Sequence, residues 1–392
     1  MTYKYKYETL PKDSIRFIKL SPELKDGRPQ VTLKACARSD APEYVCMSYC
    51  WGQDPESEFI YLNNEPFGVR PNLFQLLLHL RHHCREYTEW HYFWIDAICI
   101  DQANAAEKSE QVSRMEETYR NASTIAAWLG VREDPQPEEK TGRDHTAKLA
   151  SPAFVDELIR SPYWSRMWIV QELVLAKTIV LLYGHLRLPW KGVYGVLHAW
   201  STVGRSRWRN SATVSLVYMT VQAPYTQKHG RALGELMRYL EHSEATDPRD
   251  RVFALMGLME EEEKKLLGTV FPDYTMSHEK VALVTMAYLK QIYAPSPFKW
   301  VVRPQQMWGH KVFGLERETW ESLWRETEGY ETPHDLRNYA DVWGVKGLGK
   351  LLKLGKAGET LRVQKEELKG RRERWFEVRA EALRRLARES KR

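Results

Sequence analysis

A single carboxylate, Glu172, lies in a nearly apolar stretch of the chain. It is the one side chain of that stretch that could act as an acid, a base or a negative charge in a reaction. Between residues 167 and 176 only Gln171 and Glu172 are polar, so this stretch is predicted to be a helix packed on most of its sides. A buried charge costs on the order of several kcal/mol unless it is paired or faces a wet cleft. Glu172 is therefore either a functional acid or half of a structural ion pair with Arg120 or Arg166.

The elements around Glu172 predict an α/β domain. Its helix is expected to begin at Ser161, a favoured cap, with Pro162 at the first helical position. Upstream, residues 44–52 and 92–100 are short apolar runs typical of buried strands. Strands that alternate with helices predict a mostly parallel sheet, and ligands bind such sheets beyond the carboxyl ends of the strands. We therefore expect a binding edge formed by Ser48, Tyr49, Trp51, Gly52, Asp101 and Gln102.

Four of the polar or aromatic candidates have a plain alternative. Asp96 interrupts an apolar run and could satisfy loop amides, and Asp101 could be a turn residue rather than a ligand contact. Trp168 is either core or a substrate platform. Arg249 follows Asp247 and Pro248 at a predicted helix start, where it could bind phosphate or pair with Asp250 or another acid. These alternatives stay open at the level of sequence.

The pattern divides the chain into four predicted regions. Alternating residues in 15–36 predict an N-terminal β-hairpin, and helical patterns dominate after residue 186. The predicted regions are a β extension at 1–43, the α/β domain at 44–185, a helical region packed on it at 186–343, and a linker with a basic amphipathic helix at 344–392.

Composition indicates a cytoplasmic protein. The five cysteines are odd in number and lie in or beside apolar runs, which is typical of reduced thiols, and their spacing predicts no metal site. No uncharged apolar run reaches the roughly 18 to 20 residues of a membrane span, and the first residues are unlike a signal peptide. The net charge is +6; residues 345–392 hold a surplus of nine positive charges, so residues 1–344 carry −3. The basic tail predicts a solvated helix face rather than a specific nucleic-acid site.

Several segments together resemble the fungal heterokaryon incompatibility (HET) domain family, whose sequence blocks occur in the same order. The resemblance implies an intracellular protein of fungal non-self recognition, in a family whose members trigger growth arrest and programmed cell death. The matching blocks are residues 44–52, 94–102, 111–122, 128–130 and 164–173, followed by 247–255 and 272–274.

HET domains in turn look like remote relatives of TIR domains, which have a flavodoxin-like sheet and some of which cleave NAD. Trp168, Glu172 and Leu173 match the TIR pattern of tryptophan, three residues, then glutamate and leucine. The serine that TIR domains have two residues before that tryptophan is replaced here by Arg166, with Ser165 beside it. The resemblance implies a TIR-like fold, Glu172 as catalytic carboxylate, and NAD as a substrate rather than a cofactor.

Two functions remain open at this stage. The first is a cell-death effector that hydrolyses NAD at the nicotinamide ribosyl bond when it forms a homo-oligomer. The second is a non-enzymatic signalling module that binds an incompatibility or NLR-type partner. In the second case we expect Glu172 to be enclosed and ion-paired.

Overall fold

The computed structural model describes residues 5–83, 89–132, 149, 151–202, 216, 219–220, 223–293, 317–318 and 321. The chain divides into two compact units. The first comprises Met1–Lys264 and Phe271–Ser277, and the second Lys265–Val270 and His278–Arg392. All the candidate site residues lie in the first unit. The predicted basic helix in 344–392 lies outside the described residues, and the predicted limits of the four regions stay predictions.

One sheet of nine strands organises the first unit. Its order is β5-β4-β2-β1-β6-β3-β7-β8-β9. The strands are β1 Ser14–Lys25, β2 Arg28–Ala37, β3 Val45–Tyr49, β4 Glu58–Leu62, β5 Glu65–Val69, β6 Phe93–Trp94, β7 Thr124–Trp128, β8 Ile179–Tyr183 and β9 Leu186–Pro189.

The sheet is mixed, which corrects the prediction of a mostly parallel sheet. Strands β6, β3, β7 and β8 are parallel neighbours, and β2 also pairs in parallel with β4. The remaining pairs, β1 with β2, β1 with β6, β4 with β5 and β8 with β9, are antiparallel. Hairpins therefore extend a short parallel core on both sides, because chain reversals of a few residues can only join antiparallel neighbours.

The parallel core has the strand order of a doubly wound sheet. Numbered along the chain, β3, β6, β7 and β8 are its first to fourth strands, so their order in space is 2-1-3-4. A flavodoxin-like sheet has the order 2-1-3-4-5 with all strands parallel. Here the fifth position is taken by the antiparallel β9. The α/β class is confirmed, whereas the TIR-like fold stays a prediction.

The described helices connect these strands and follow them. In the α/β part they are α1 Pro71–His82, α2 Asp96–Cys99, α3 Ala105–Ser113, α4 Met115–Asn121, α5 Pro152–Ile159, α6 Trp168–Leu175 and α7 Trp190–Thr202. Further along the chain, helices span Ala223–His229, Leu233–Tyr239, Asp250–Phe253, Glu261–Leu267 and His278–Tyr293. Among the residues described, no helix combines the length and the apolar character that crossing a membrane requires.

The segment that carries Glu172 is two helices and not the single helix predicted from Ser161. The Ser161 side chain does cap the first, a 3₁₀ helix at Pro162–Ser165, by accepting from the Tyr163 amide at 3.3 Å. The chain is then extended at Arg166 before α6 begins at Trp168. The interruption has a tertiary cause, because the backbone on both sides of Arg166 bonds to Glu244 instead of continuing the helix.

The apolar run at residues 92–100 is also not the continuous strand that was predicted. Only Phe93–Trp94 is strand, and α2 begins at Asp96. The Asp96 carboxylate accepts from the Ala97 amide at 2.8 Å, which satisfies a donor that a strand would have used in the ladder. Apolar runs of this length fit a buried strand or a buried helical turn equally well.

Candidate active site

The carboxyl ends of β3, β6 and β7 lie together at one edge of the sheet. Strand β3 is the first core strand, with the second core strand on one side and the third on the other. Ser48 is in register with Ala127, and Tyr49 with Trp128. This is the switch point at which open α/β sheets bind their ligands.

Glu172 lies on α6 in an enclosed position, with 3 % of its surface exposed. Its Oε1 accepts a hydrogen bond from the Tyr119 hydroxyl at 3.4 Å and lies 3.9 Å from Nη2 of Arg166. Within the described part of the chain, its buried Oε2 has no hydrogen-bond partner, and neither has the buried Nη1 of Arg166. Within this ion pair, Oε2 of Glu172 and Nη1 of Arg166 are therefore both buried without a hydrogen-bond partner among the described residues.

The ionisation of Glu172 is set by opposing influences. Burial raises the pKa of Glu172, whereas the Arg166 guanidinium and the hydroxyls of Ser48 and Tyr119 act to lower it. Asp96 adds to the rise by repulsion. The charge on Glu172 consequently depends on the balance between the loss of water on burial and the effects of these neighbours.

Ser48 belongs to the same buried cluster. Its Oγ lies 2.6 Å from the hydroxyl of Tyr163, and either group can be the donor. Burial holds the pKa of Tyr163 well above its usual range, so the phenol is a neutral hydrogen-bonding group. Tyr163 was not singled out from the sequence, although it belongs to the same 161–176 stretch as Glu172.

Trp51, Asp96 and Gln102 form a second group at this edge. The indole Nε1 of Trp51 donates to Oδ2 of Asp96 at 3.0 Å. The side-chain Nε2 of Gln102 donates to the backbone carbonyl of Asp96 at 2.9 Å. Burial raises the pKa of Asp96, and Arg166 opposes the rise. Asp96 thus connects the loop after β3 with the segment after β6. This is the structural role that the sequence had left open for it.

Gly52 has the left-handed conformation that favours glycine, with φ +78°, and open space where a Cβ would point. Its carbonyl accepts a hydrogen bond from Nη1 of Arg70, whose guanidinium lies 5.9 Å from the Trp51 ring centroid. Asn72 on α1 fixes the same loop by donating to the Cys50 carbonyl at 2.6 Å. Gly52 is exposed at the sheet edge and could allow a ligand's phosphate to approach the backbone.

Asp101 and Tyr49 are less available to a ligand. The Asp101 carboxylate accepts from the Ala103 amide at 3.1 Å, and its own amide donates to Glu107 at 2.8 Å, which is a turn arrangement. Tyr49 is buried in the core with 2 % exposure. These two contribute to the shape of the edge more than to its exposed surface.

Trp168 and Arg249 are tied to the segment that follows the α/β part. The Trp168 side chain acts to lower the pKa of Asp250, whose carboxylate accepts from the hydroxyl of Tyr274. Arg249 forms a bidentate pair with Asp247 at 2.9 and 2.7 Å, so its acid partner is not the adjacent Asp250. Its Nη1 donates to two backbone carbonyls as well. Among the contacts of the described residues, none joins Arg249 to Glu172.

The residue that sequence reasoning undervalued is Arg166. It was considered only as an alternative structural partner, yet its guanidinium acts on the pKa of Glu172, Asp96, Tyr163 and Cys50. Tyr119 lies in the matching block at 111–122, yet it was not predicted as a site residue. Both belong to the site because of tertiary contacts with α6.

Comparison with known proteins gives a family match within the α/β part. A family model described as "Heterokaryon incompatibility protein (HET)" matches residues 44–172, which contain every predicted site residue except Arg249. Heterokaryon incompatibility protein 6, OR allele, of Neurospora crassa is 25 % identical over an alignment that covers 61 % of this chain. The alignment spans 46 % of that relative's length. No solved structure matches the chain significantly.

Proposed function

We propose that this chain, in which residues 44–172 form a HET domain, acts as an effector of fungal heterokaryon incompatibility. The support is the family match and the similarity to an incompatibility protein of Neurospora crassa. Because less than half of that relative is covered, the activity and the partners of the whole protein are part of the proposal. Growth arrest and cell death on expression in a fungus are the expected outcome.

We further propose that the HET domain cleaves NAD at the nicotinamide ribosyl bond, with Glu172 as the catalytic carboxylate. The observation that carries this proposal is the unpaired Oε2 of Glu172, buried beside the switch point of the sheet. Buried polar atoms are nearly always hydrogen-bonded, so an orphaned carboxylate oxygen calls for a ligand or a water. The strand order 2-1-3-4 of the parallel core, which is also part of the order 2-1-3-4-5, supports the same proposal.

The chemistry fits a single acid. When the C–N bond breaks, its electron pair leaves with the neutral nicotinamide ring, and a cation with oxocarbenium character forms on the ribose. An ionised Glu172 stabilises that cation electrostatically, and water adds to the anomeric carbon with loss of one proton. No acid is needed for the leaving group. Ser48 and Trp51 are the proposed contacts for the ribose hydroxyls and for a stacked ring, and Gly52 for a phosphate.

The enclosed position of Glu172 sets a condition on this reaction. With 3 % exposure the carboxylate cannot meet a dinucleotide unless the loop at Trp51–Gly52 or the start of α6 moves. We propose that self-association of the chain produces this opening. The activity is therefore expected to rise with protein concentration.

The decisive experiment measures nicotinamide release by the purified protein, dilute and assembled. Wild type is expected to release nicotinamide, Glu172→Gln to lose at least about 100-fold in rate, and Glu110→Gln, an exposed acid on α3, to behave as wild type. Equal rates for wild type and Glu172→Gln would remove Glu172 from the mechanism.

A non-enzymatic signalling module is the second candidate, and one observation favours it. Glu172 is enclosed and lies within ion-pair distance of Arg166, as that alternative expects. This candidate predicts that wild type releases no nicotinamide in any state of assembly. It also predicts that Glu172→Gln, if folded, still arrests growth in a fungus.

A further inference from the structure

Backbone hydrogen bonds to Glu244 hold the chain extended at Arg166. The amide of Met167 donates to the Glu244 carbonyl at 2.8 Å, and Arg166 forms an isolated parallel bridge with Glu244. This extended residue separates the 3₁₀ helix at Pro162–Ser165 from α6. Its side chain is 18 % exposed and reaches the carboxylate of Glu172.

Arg166 is the only cation in ion-pair distance of Glu172 among the residues that the structure describes. The other titratable groups that act on Glu172, or on which Glu172 acts, are acids, thiols and phenols from four further elements. They are Asp96 on α2, Cys46 and Cys50 on and after β3, Tyr119 on α4 and Tyr163 before α6. One guanidinium therefore serves two carboxylates, those of Asp96 and Glu172.

The geometry of this pair differs from that of the structural ion pairs in the same unit. Arg16 bonds to both oxygens of the buried Glu107, at 2.5 and 3.1 Å. Arg249 likewise bonds to both oxygens of Asp247. A bidentate pair of this kind gives both carboxylate oxygens a guanidinium partner. Arg166 instead stands 3.9 Å from a single oxygen of Glu172 and forms no hydrogen bond with it.

We infer that Arg166 is a positioning residue that keeps Glu172 negatively charged in its buried site while leaving Oε2 free for the substrate. The inference rests on the proposed hydrolysis of NAD for its purpose, although the charge of Glu172 can be measured without any activity. A bidentate arginine would instead hold both oxygens of Glu172, including Oε2. A site without any cation would let burial neutralise the acid, and a neutral carboxyl group cannot stabilise a ribosyl cation.

The test compares Arg166→Gln, Arg166→Lys and the control Arg160→Gln, an arginine six residues upstream that is exposed and pairs with Asp156. Each variant is compared with a second protein that carries the same substitution together with Glu172→Gln. The infrared absorption of protonated carboxyl groups, taken as the difference within each pair across a pH titration, reports Glu172 alone. In parallel, nicotinamide release is measured against pH.

Arg166→Gln is expected to raise the titration midpoint of Glu172 by about 1–3 pH units, which is the usual effect of one adjacent charge. The acidic limb of the rate profile should move with it. Arg166→Lys should restore most of both, and Arg160→Gln should match wild type. An unchanged midpoint in Arg166→Gln overturns the inference.

Two further outcomes distinguish a failure of this inference from a failure of the variant to fold and from a failure of the proposed hydrolysis. If Arg166→Gln does not fold, the double variant with Glu172→Gln should fold again, because the uncompensated buried charge is gone. A double variant that stays unfolded means that Arg166 acts through packing, and it also overturns the inference. If wild type releases no nicotinamide while the midpoint shifts as expected, the proposed hydrolysis fails and the role of Arg166 stands.

Discussion

At the scale of single residues, burial raises the pKa of several carboxyl groups in the first unit, among them Glu172 and Asp250. Glu172 has one cation at the edge of ion-pair range, whereas for Asp250 the neutral side chains of Tyr274 and Trp168 offset only part of the rise in pKa. Burial raises the pKa of Asp250 to about 6 from 3.8. Nearby Asp247 adds to this rise, and Lys108 opposes it.

The raised pKa of Asp250 predicts a pH-dependent stability. Below pH 3.8 the carboxyl group is protonated in both the folded and the unfolded chain. Between pH 3.8 and about 6 only the unfolded chain ionises, so the folded state loses stability as the pH rises. Asp250→Asn cannot ionise. Its stability relative to wild type should therefore increase by about 1–3 kcal/mol between pH 4 and pH 7.

Urea unfolding of both proteins at a series of pH values measures this difference. Asp54→Asn, in an exposed loop, serves as the matched control and should keep a constant offset from wild type. A constant offset for Asp250→Asn as well would mean that Asp250 is ionised in the folded protein. The comparison uses changes with pH, so a lost hydrogen bond from Trp168 does not affect its outcome.

At the scale of elements, the loop after β3 is fixed by α1 rather than by the sheet. Asn72 has the side-chain type of a helix cap, but α1 begins with Pro71 after Arg70, and no side chain caps it. Asn72 instead donates to the Cys50 carbonyl at 2.6 Å and accepts from the Trp128 indole at 2.9 Å. One side chain thus connects α1 with the carboxyl ends of β3 and β7.

Asn72→Ala is expected to lower the free energy of unfolding by about 1–3 kcal/mol, because it leaves the Trp128 indole N–H and the Cys50 carbonyl without this partner. Denaturant unfolding gives the loss. In a double-mutant cycle with Trp128→Phe, the two losses should be less than additive, since both variants remove the same hydrogen bond. Additive losses would show that Asn72 does not act through Trp128.

At the scale of the whole molecule, the unit that contains the family match at residues 44–172 extends well past residue 172. The Arg166 backbone is held by Glu244, and Trp168 acts on the pKa of Asp250. The Tyr274 amide donates to Ser109 at 2.9 Å on α3. The sequence blocks at 247–255 and 272–274 therefore complete the packing around α6 and α3 within the first unit.

A chain that ends after Gly184 should consequently fail to fold cooperatively, although it contains all strands of the parallel core. It lacks the partners of Arg166 and Trp168 and exposes the apolar surface of α6. A chain that ends after Ser277 should unfold in a single transition. Thermal unfolding followed by near-ultraviolet circular dichroism distinguishes the two, and a sharp transition in the shorter chain would contradict the expectation.

The sequence by itself determined the features that depend on local pattern. Apolar runs and turn residues indicate strands β1 to β5, β7 and β8, and Asn63 and Asn64 have the left-handed conformation that a tight hairpin requires. The leucines at 73, 76, 77 and 80 have helical spacing and form the buried stripe of α1. The apolar stretch at 167–176 singled out Glu172. These signals are short in range because they reflect backbone geometry and periodicity.

Only the tertiary structure decided how Glu172 is surrounded and where its helix begins. Ser48, Tyr119 and Tyr163 come from three separate elements, and the break at Arg166 arises from hydrogen bonds to Glu244, about 80 residues away. Whether a buried acid is charged depends on the distance to a cation and on the loss of water, and neither quantity is contained in local sequence. The pattern of the chain identified the acid, and the fold determined its neighbours.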